Sequence, residues 1–391
     1  MLEQPSPLRL LAYRLRREQL AFRGWFNALF WRKLDSSQVS CSYLIDRRHN
    51  AYAGLACPDS DLEVQHSLRC WNEEEGTYPF MRHNEYVLEI KQPVIIEPRS
   101  GWAIVGPRQV FSGSVPYEYC YPLPRLQALW SSRRVRPTLF PSVVSLRSGD
   151  GGNYFHCFSD VLTKLSLLEC AGIPEHLPLV ISRRLYETGF FQAILQRTGL
   201  GSRTWIVQGP NDYIHAAGAY CIKPLPIDRR HIDRVLEWLQ PPAPTGTNRR
   251  LFINRSSKAG RGFANIDELR PIMQSHGFEE IDTARMSLEE QMQTFADARY
   301  VVGLHGAGLT NLLFRQGLPL GLLEIFPPEI FPPFKAAPHY FWLCAKYGYA
   351  YDAIRGEPAG SLHDRVFDSR MLNFVVSPKD LQSRIRRMLE H

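Results

Sequence analysis

Residues 300–311 have the sequence YVVGLHGAGLTN. The run Tyr300-Val301-Val302 predicts a short buried strand, and the glycines at 303, 306 and 308 predict a tight turn directly after it. We expect a helix to begin at Thr310-Asn311. Residues 303–311, called the glycine turn below, are a candidate phosphate site, because the backbone N–H groups at a helix start bind phosphate oxygens.

The glycine spacing leaves two interpretations open. It does not match the P-loop pattern, and it differs from the dinucleotide-binding pattern because Asn311 occupies the third glycine position. A purely structural turn and a phosphate site therefore fit the glycines equally well. His305 favours the phosphate site, because a polar imidazole inside a glycine turn has little packing reason to be there.

Strand and helix patterns alternate on both sides of the glycine turn. Apolar runs at 142–146, 179–182 and 204–207 predict strands, with a long helical pattern over 154–170 between the first two. The stretch 241–249 is rich in proline and predicts a connector. A second series follows, with a strand at 251–253, a helix over 266–275 capped by Asn265, and a capping box formed by Ser287 and Glu290.

This alternation predicts an α/β fold with two Rossmann-like domains facing a cleft. We place the boundaries as follows: a basic amphipathic arm (1–35), a β-rich N-terminal segment (36–140), a first Rossmann-like domain (141–240), a linker (241–249), a second Rossmann-like domain (250–375) and a C-terminal helix (376–391).

Composition limits the class of partner. The chain has 391 residues and a net charge of +7, which favours anionic partners such as nucleotide sugars, acidic glycans or a phospholipid surface. Its eight cysteines form no C-x-x-C pair, so we expect reduced thiols in a cytoplasmic protein. Basic residues are dispersed outside the arm and no nucleic-acid-reading motif occurs, so no nucleic-acid partner is expected.

The arm has its own pattern. Seven basic residues alternate with leucine, phenylalanine and tryptophan over residues 1–34, at roughly helical spacing. Such a helix either binds the inner face of the plasma membrane peripherally or packs on the protein body. The sequence has no apolar run of the ~18 residues that span a membrane, and no secretory signal pattern. Asp59-Ser60-Asp61 has a D-x-D form, but we interpret it as a plain loop and expect no metal site.

Further candidates surround the second domain's strands. Asn254, Arg255, Lys258 and Arg261 follow the strand at 251–253, and open α/β sheets bind ligands at the carboxyl ends of their strands. The two arginines and the lysine could neutralise a diphosphate, or form a solvated basic loop. Glu324 lies in a strand of leucine and isoleucine, where an unpaired carboxylate is costly. It either accepts ribose hydroxyls or pairs internally with a cation.

In the first domain, His156 and Asp160 are four residues apart on the predicted helix and can touch. A carboxylate that holds an imidazole fixes its tautomer, as a general base requires. Asp150, Asn153 and Tyr154 lie in the same turn and are candidates for the acceptor side. The alternative for His156 is an ordinary helix histidine.

Taken in order, these motifs resemble glycosyltransferase family 61. The resemblance rests on Asn153-Tyr154-x-His156 with Asp160, then Arg255, then His305-Gly306-Ala307-Gly308-Leu309-Thr310-Asn311, then Glu324. It covers residues 140–350. The family includes bacterial capsular-polysaccharide-type transferases, plant xylan arabinosyl- and xylosyltransferases, and animal O-linked N-acetylglucosamine transferases.

The resemblance implies a GT-B fold and an inverting, metal-independent transfer from a nucleotide sugar, expected to be UDP-linked, with no cofactor. The donor diphosphate would bind Gly306, Ala307, Gly308, Leu309, Thr310, Asn311 and Arg255, and the ribose would bind Glu324. Asn254, Lys258, Arg261 and His305 complete the expected donor set, while His156 and Asp160 would be catalytic. The acceptor would be a glycan or lipid-linked glycan of cell-surface polysaccharide biosynthesis.

Two other functions remain open. A sugar-nucleotide epimerase or hydrolase of the same fold would turn over the donor without an acceptor. A non-catalytic glycan- or membrane-binding protein would explain the basic arm, but neither the glycine turn nor the pair His156 and Asp160.

Overall fold

The computed structural model describes residues 27–48, 84–116, 122–129, 139–148, 152–225, 227–246, 248–254, 262–328, 339–359 and 373–390. These residues divide into two compact units, one holding those from 27 to 239 and the other those from 240 to 390. Several predictions fall on residues outside the described ranges: the arm over 1–26, Asp59 and Asp61, Asp150, Arg255, Lys258 and Arg261.

The first unit has two six-stranded sheets. Their strands are β1 (Arg32–Leu34), β2 (Cys41–Arg48), β3 (Asn84–Ile90), β4 (Val94–Ile96), β5 (Ala103–Gly106), β6 (Gln109–Phe111), β7 (Leu139–Phe140), β8 (Val143–Ser145), β9 (Leu179–Ser182), β10 (Trp205–Gln208), β11 (Ile214–Ala216) and β12 (Ala219–Lys223). One sheet has the order β1-β6-β5-β4-β11-β7 and the other β10-β9-β8-β12-β3-β2.

The second of these sheets carries the strand–helix alternation. Strands β10, β9, β8 and β12 are parallel, and β3 and β2 extend the sheet in antiparallel pairing. Strands β2 and β3 come from the stretch 36–140, which was predicted as a β-rich segment, and they share this sheet with β8 and β12. Its buried face contains Leu88, Val143 and Val180.

The described end of the predicted arm differs from expectation. Residues 32–34 form strand β1, paired in parallel with β6, rather than the last turn of a helix. Trp31 and Leu34 are buried in the unit's own core clusters, which explains their apolar spacing without a membrane surface. The helix prediction is wrong for these residues.

Helices of the first unit follow the predicted order. They are α1 (Tyr154–His156), α2 (Thr163–Cys170), α3 (Arg183–Tyr186), α4 (Gly189–Thr198) and α5 (Arg229–Leu239), with 3₁₀ turns at Ser112–Ser114 and Leu200–Ser202. A π-helical stretch, Cys157–Leu162, joins α1 to α2, so the predicted helix over 154–170 is confirmed but carries a widened middle turn.

The second unit is built on one parallel sheet. Its strands are β13 (Arg249–Ile253), β14 (Glu279–Ile281), β15 (Ala298–Leu304), β16 (Gly321–Phe326) and β17 (Ala350–Arg355), in the order β14-β13-β15-β16-β17, and a small antiparallel pair joins β18 (Glu357–Pro358) to β19 (Phe374–Val375). Helices α6 (Ile266–Ser275), α7 (Leu288–Ala296), α8 (His339–Tyr347) and α9 (Pro378–Glu390) and 3₁₀ helices at Thr283–Arg285 and Ala307–Arg315 complete the described elements.

Both helix starts predicted from capping residues are confirmed, but only one of the two predicted caps is. Ser287 and Glu290 form the expected capping box on α7. Asn265 precedes α6 as predicted, but its side chain makes no cap hydrogen bond. Instead its amide pairs with the backbone of Val376, donating from Nδ2 at 2.9 Å and accepting at Oδ1 at 3.2 Å. Asn265 therefore ties the start of α6 to the segment between β19 and α9.

The mixed α/β class with parallel sheets is confirmed, and the GT-B arrangement stays a prediction. None of the helices within the described ranges combines the length and the apolar character needed to cross a membrane.

Candidate functional site

The glycine turn lies at the carboxyl end of β15, in the middle of the second unit's sheet. In the order β14-β13-β15-β16-β17, the chain moves from β13 outward to β14 and then returns to the other side of β13 as β15. In open parallel sheets, ligands bind outside the carboxyl ends of the strands at this kind of reversal. The turn and the end of β13 therefore occupy the edge where a ligand is expected.

Two of the glycines have a packing reason of their own. A Cβ atom on Gly303 would lie 2.9 Å from Leu309 Cδ2 and 3.3 Å from Ile253 Cβ. One on Gly308 would lie 2.9 Å from Thr283 Oγ1 and 3.3 Å from Ile253 Cγ2. The structural interpretation of these glycines is thus supported, since they let the turn pack closely on the end of β13.

The helix expected to begin at Thr310-Asn311 begins earlier, inside the glycine turn, and it is wound more tightly than an α-helix. It is a 3₁₀ helix over Ala307–Arg315, and the N–H of Leu309 donates to the Gly306 carbonyl at 3.0 Å. The prediction that it begins at Thr310-Asn311 is wrong. Glycine spacing cannot reveal this, because the start is fixed by contacts with α7 and α8.

Those contacts come from buried polar side chains. Asn311 is fully buried and donates from Nδ2 to Gln291 Oε1 at 2.7 Å and to the Gly308 carbonyl at 3.1 Å. The hydroxyl of Tyr340 donates to the Gly306 carbonyl at 2.7 Å. Leu309 and Thr310 are also buried, whereas residues 305–308 are partly exposed. The side chains at 309–311 therefore hold the turn from within the unit, and 305–308 form its accessible part.

His305 and Glu324 form an imidazole–carboxylate pair beside the turn. His305 Nδ1 lies 2.6 Å from Glu324 Oε1, across the β15–β16 pairing in which Gly303 faces Glu324. The His305 ring stacks on Phe326, with ring centroids 4.9 Å apart. An ionised carboxylate only accepts, so Nδ1 carries the hydrogen and donates it. Within the described ranges, His305 Nε2 makes no hydrogen bond.

Glu324 is held at its other oxygen as well. The Tyr351 hydroxyl, on β17, donates to Glu324 Oε2 at 2.8 Å. The Glu324 side chain is fully buried, and burial together with its charge raises the pKa values of Tyr351 and Cys344 well above their usual range. The geometry is that of the internal pair that the sequence left open as an alternative, and direct ribose binding stays a prediction.

Asn254 lies at the carboxyl end of β13. Its side-chain amide donates to Glu280 Oε1 at 2.7 Å, and the same carboxylate accepts from Arg270 Nε at 2.8 Å. As the residue directly after β13, Asn254 lies at the expected edge of the sheet, and Arg255, Lys258 and Arg261 follow it in the sequence. A role for these residues in donor binding is untested.

His156 and Asp160 touch in the first unit. His156 Nδ1 lies 2.8 Å from Asp160 Oδ2, and Asp160 Oδ1 accepts from the Ser159 hydroxyl at 2.9 Å. They follow β8, which lies between β9 and β12, so this pair is also at the carboxyl end of a strand where the chain order reverses. The predicted contact is confirmed, and its catalytic role stays a prediction.

The residues just before this pair have local structural roles. Asn153 caps α1, accepting at Oδ1 from the N–H of Phe155 at 2.8 Å. The Tyr154 ring packs against Phe158 and Phe190, with centroids 5.0 and 5.1 Å away. Both contacts fix the start of the helix that carries His156.

Lys164 is a member of this group that the sequence analysis missed. It is buried, and its Nζ donates to the Arg147 carbonyl at 2.7 Å. Burial lowers the pKa of Lys164 to about 8, although the nearby Asp160 carboxylate counteracts this. Burial by itself would raise the pKa of Asp160, but His156, Lys164 and Ser159 together hold it below its usual value. The sequence feature that could have identified Lys164 is the presence of a lysine within the largely apolar segment 161–168.

The described ranges contain no group of three or more histidine, cysteine, aspartate or glutamate side chains arranged to hold a metal ion.

Comparisons with known proteins match the part of the chain that holds the His156–Asp160 pair and the glycine turn. The family model described as Glycosyltransferase 61 matches residues 154–319, a range that includes His156, Asp160 and the glycine turn and ends before Glu324. Among curated proteins, the chain is similar to the β-1,2-xylosyltransferase XYXT1 of Oryza sativa subsp. japonica, at 26% identity over 220 residues. That alignment covers 47% of this chain and 46% of the relative, so the chain spans about half the relative's length. Residues 154–319 thus match the family that the sequence motifs resemble, glycosyltransferase family 61.

Proposed function

We propose that the protein is a glycosyltransferase that moves a sugar from a nucleotide diphosphate to a hydroxyl group of a glycan or lipid-linked glycan. The observation that carries this proposal is the family 61 region, which contains both the His156–Asp160 pair and the glycine turn. The β-1,2-xylosyltransferase relative makes a UDP-linked pentose the first donor to test. A role in cell-surface polysaccharide biosynthesis, in the cytoplasm, belongs to the same proposal.

The second unit would bind the donor. Backbone N–H groups of residues 306–308 lie at the start of a 3₁₀ helix at the carboxyl edge of the sheet, where they can meet diphosphate oxygens. His305 Nε2 would contact the same diphosphate, and Arg255, Lys258 and Arg261 would neutralise its charge. These contacts would stabilise the leaving group without a metal ion.

The first unit would supply the base. In a single displacement, the acceptor oxygen forms a bond to the anomeric carbon while the bond from that carbon to the diphosphate oxygen breaks, and the electron pair leaves with the nucleoside diphosphate. His156 Nε2 would take the acceptor's proton, because Asp160 holds the Nδ1 side of the ring. The anomeric configuration would be inverted.

The test uses the full chain with a panel of UDP-linked pentoses and hexoses and a xylan-type acceptor, with release of UDP as the readout. Positioned general bases contribute about 10²–10⁴ in rate, so His156→Ala should lower turnover by that factor while UDP affinity by calorimetry stays unchanged. His176→Ala, at an exposed histidine of the same unit, is the matched control and should keep its turnover.

Two outcomes would count against the proposal. Unchanged turnover in His156→Ala would exclude His156 as the base. Full donor turnover without any acceptor would favour a sugar-nucleotide hydrolase or epimerase.

A further inference from the structure

Tyr351 contacts the second unit's imidazole–carboxylate pair from a strand that the family match does not reach. The matched region ends at residue 319, whereas Tyr351 lies on β17, two strands away from β15. Its hydroxyl donates to Glu324 Oε2 at 2.8 Å, while Glu324 Oε1 accepts from His305 Nδ1 at 2.6 Å. The three side chains therefore form a chain of hydrogen bonds across β15, β16 and β17.

The donor and the acceptor of each of these two hydrogen bonds are fixed. Glu324 is fully buried and can only accept, so both of its neighbours must donate. Tyr351 has one hydroxyl hydrogen, and its raised pKa, caused by burial and by the Glu324 carboxylate, keeps that hydrogen in place near neutral pH. With one oxygen held by Tyr351, the carboxylate cannot rotate freely, and its other oxygen stays aimed at His305 Nδ1.

We propose that Tyr351 is a positioning residue for the donor site, acting through Glu324 to fix the orientation and tautomer of His305. This inference rests on the proposed function, because it assigns His305 Nε2 to the donor diphosphate. Partners that orient a metal-ligating imidazole commonly change affinity or activity by about 10–100-fold when removed, and an imidazole that contacts a diphosphate depends on its orientation in the same way. Tyr351 would orient the imidazole in this way, through Glu324, without contacting the ligand itself.

Tyr349 provides a matched control. It lies two residues before Tyr351 and is buried, and its hydroxyl accepts from the N–H of Gly317 at 3.0 Å. Tyr349→Phe thus removes a buried hydroxyl from the same part of the fold without touching Glu324. Thermal melting of both variants will show that they are folded and how much stability each loses.

The first measurement needs no ligand. The 2.6 Å hydrogen bond to a carboxylate should give the His305 Nδ1 proton a strongly downfield resonance. We expect this resonance to shift in Tyr351→Phe and to stay in place in Tyr349→Phe. An unchanged resonance in Tyr351→Phe would overturn the proposal.

The second measurement is UDP affinity by calorimetry, arranged as a double-mutant cycle. Loss of a hydrogen bond to a charged group corresponds to about a tenfold effect, so Tyr351→Phe should weaken UDP binding by about that factor. If Tyr351 acts through His305, the loss should disappear in a His305→Ala background. An equal loss in both backgrounds would mean that Tyr351 is merely structural. If wild-type protein does not bind UDP, the proposed donor is wrong, and the resonance still decides the positioning role.

Discussion

His305 and Glu324 are joined by a 2.6 Å hydrogen bond between neighbouring strands, with the carboxylate fully buried and the imidazole partly exposed beside the glycine turn. A buried carboxylate is costly unless its partners satisfy it. Glu324 therefore specifies how His305 is placed as much as it stabilises the sheet. The His156–Asp160 pair repeats this imidazole–carboxylate arrangement in the first unit.

Glu324→Gln tests this relationship. The amide supplies one acceptor oxygen where the carboxylate supplies two, so Tyr351 and His305 cannot both keep their acceptor. We expect UDP affinity, measured by calorimetry, to fall about tenfold, in line with the loss of one charged hydrogen bond. Glu279→Gln, which removes a carboxylate paired with Arg249 on the same sheet, should leave UDP affinity unchanged. Wild-type affinity in Glu324→Gln would show that His305 does not depend on this carboxylate.

Gly308→Ala tests the packing of the glycine turn. The added Cβ would lie 2.9 Å from Thr283 Oγ1 and 3.3 Å from Ile253 Cγ2, so Thr283, the end of β13 or the turn itself must shift. Overpacking of this kind costs about 1–3 kcal/mol in the free energy of unfolding. We expect that loss in urea titrations, together with weaker UDP binding, because residues 306–308 shift with the turn.

Gly189→Ala is the comparison for Gly308→Ala. Gly189 is the first residue of α4, and nothing lies within 4 Å of the position that its Cβ would take. Alanine favours helices over glycine by up to about 1 kcal/mol, so stability should stay the same or rise. If Gly308→Ala were as stable as Gly189→Ala, the close approach of the turn to β13 would not constrain residue 308.

Strands and helices with a clear period were predictable from the sequence. The strand at 179–182, the helix at 378–390 and the capping box at Ser287 and Glu290 are confirmed, because each depends on neighbours within a few residues. The resemblance to glycosyltransferase family 61 is likewise confirmed over residues 154–319, a range that includes the glycine turn. The contact between His156 and Asp160 was predictable because four residues separate them on one helix.

What could not be predicted depends on residues distant in the sequence. Tyr351 and Glu324 are 27 residues apart, and nothing in the strand Ala350–Arg355 identifies its tyrosine as a partner of a carboxylate. Asn265 has a capping residue's identity, but Val376, 111 residues away, competes for its side chain. The helical spacing up to Trp31 was misleading, because Trp31 is buried directly before strand β1 and Leu34 is buried within that strand.

Lys164→Met tests the buried charge beneath His156 and Asp160. Burial lowers the pKa of Lys164 to about 8 in the folded protein, whereas the pKa of an unfolded lysine is about 10.4. Between these values the unfolded chain binds a proton that the folded protein has released, so wild-type stability should rise with pH. The methionine variant lacks this titration, and the difference in unfolding free energy between wild type and variant should therefore grow in favour of wild type from about pH 8 towards pH 10. Urea titrations at successive pH values measure that difference.

Asp160→Asn removes the attraction that counteracts burial, so in its background the rise should begin at a lower pH. A difference that stays constant across this range would show that Lys164 does not lose its proton on folding.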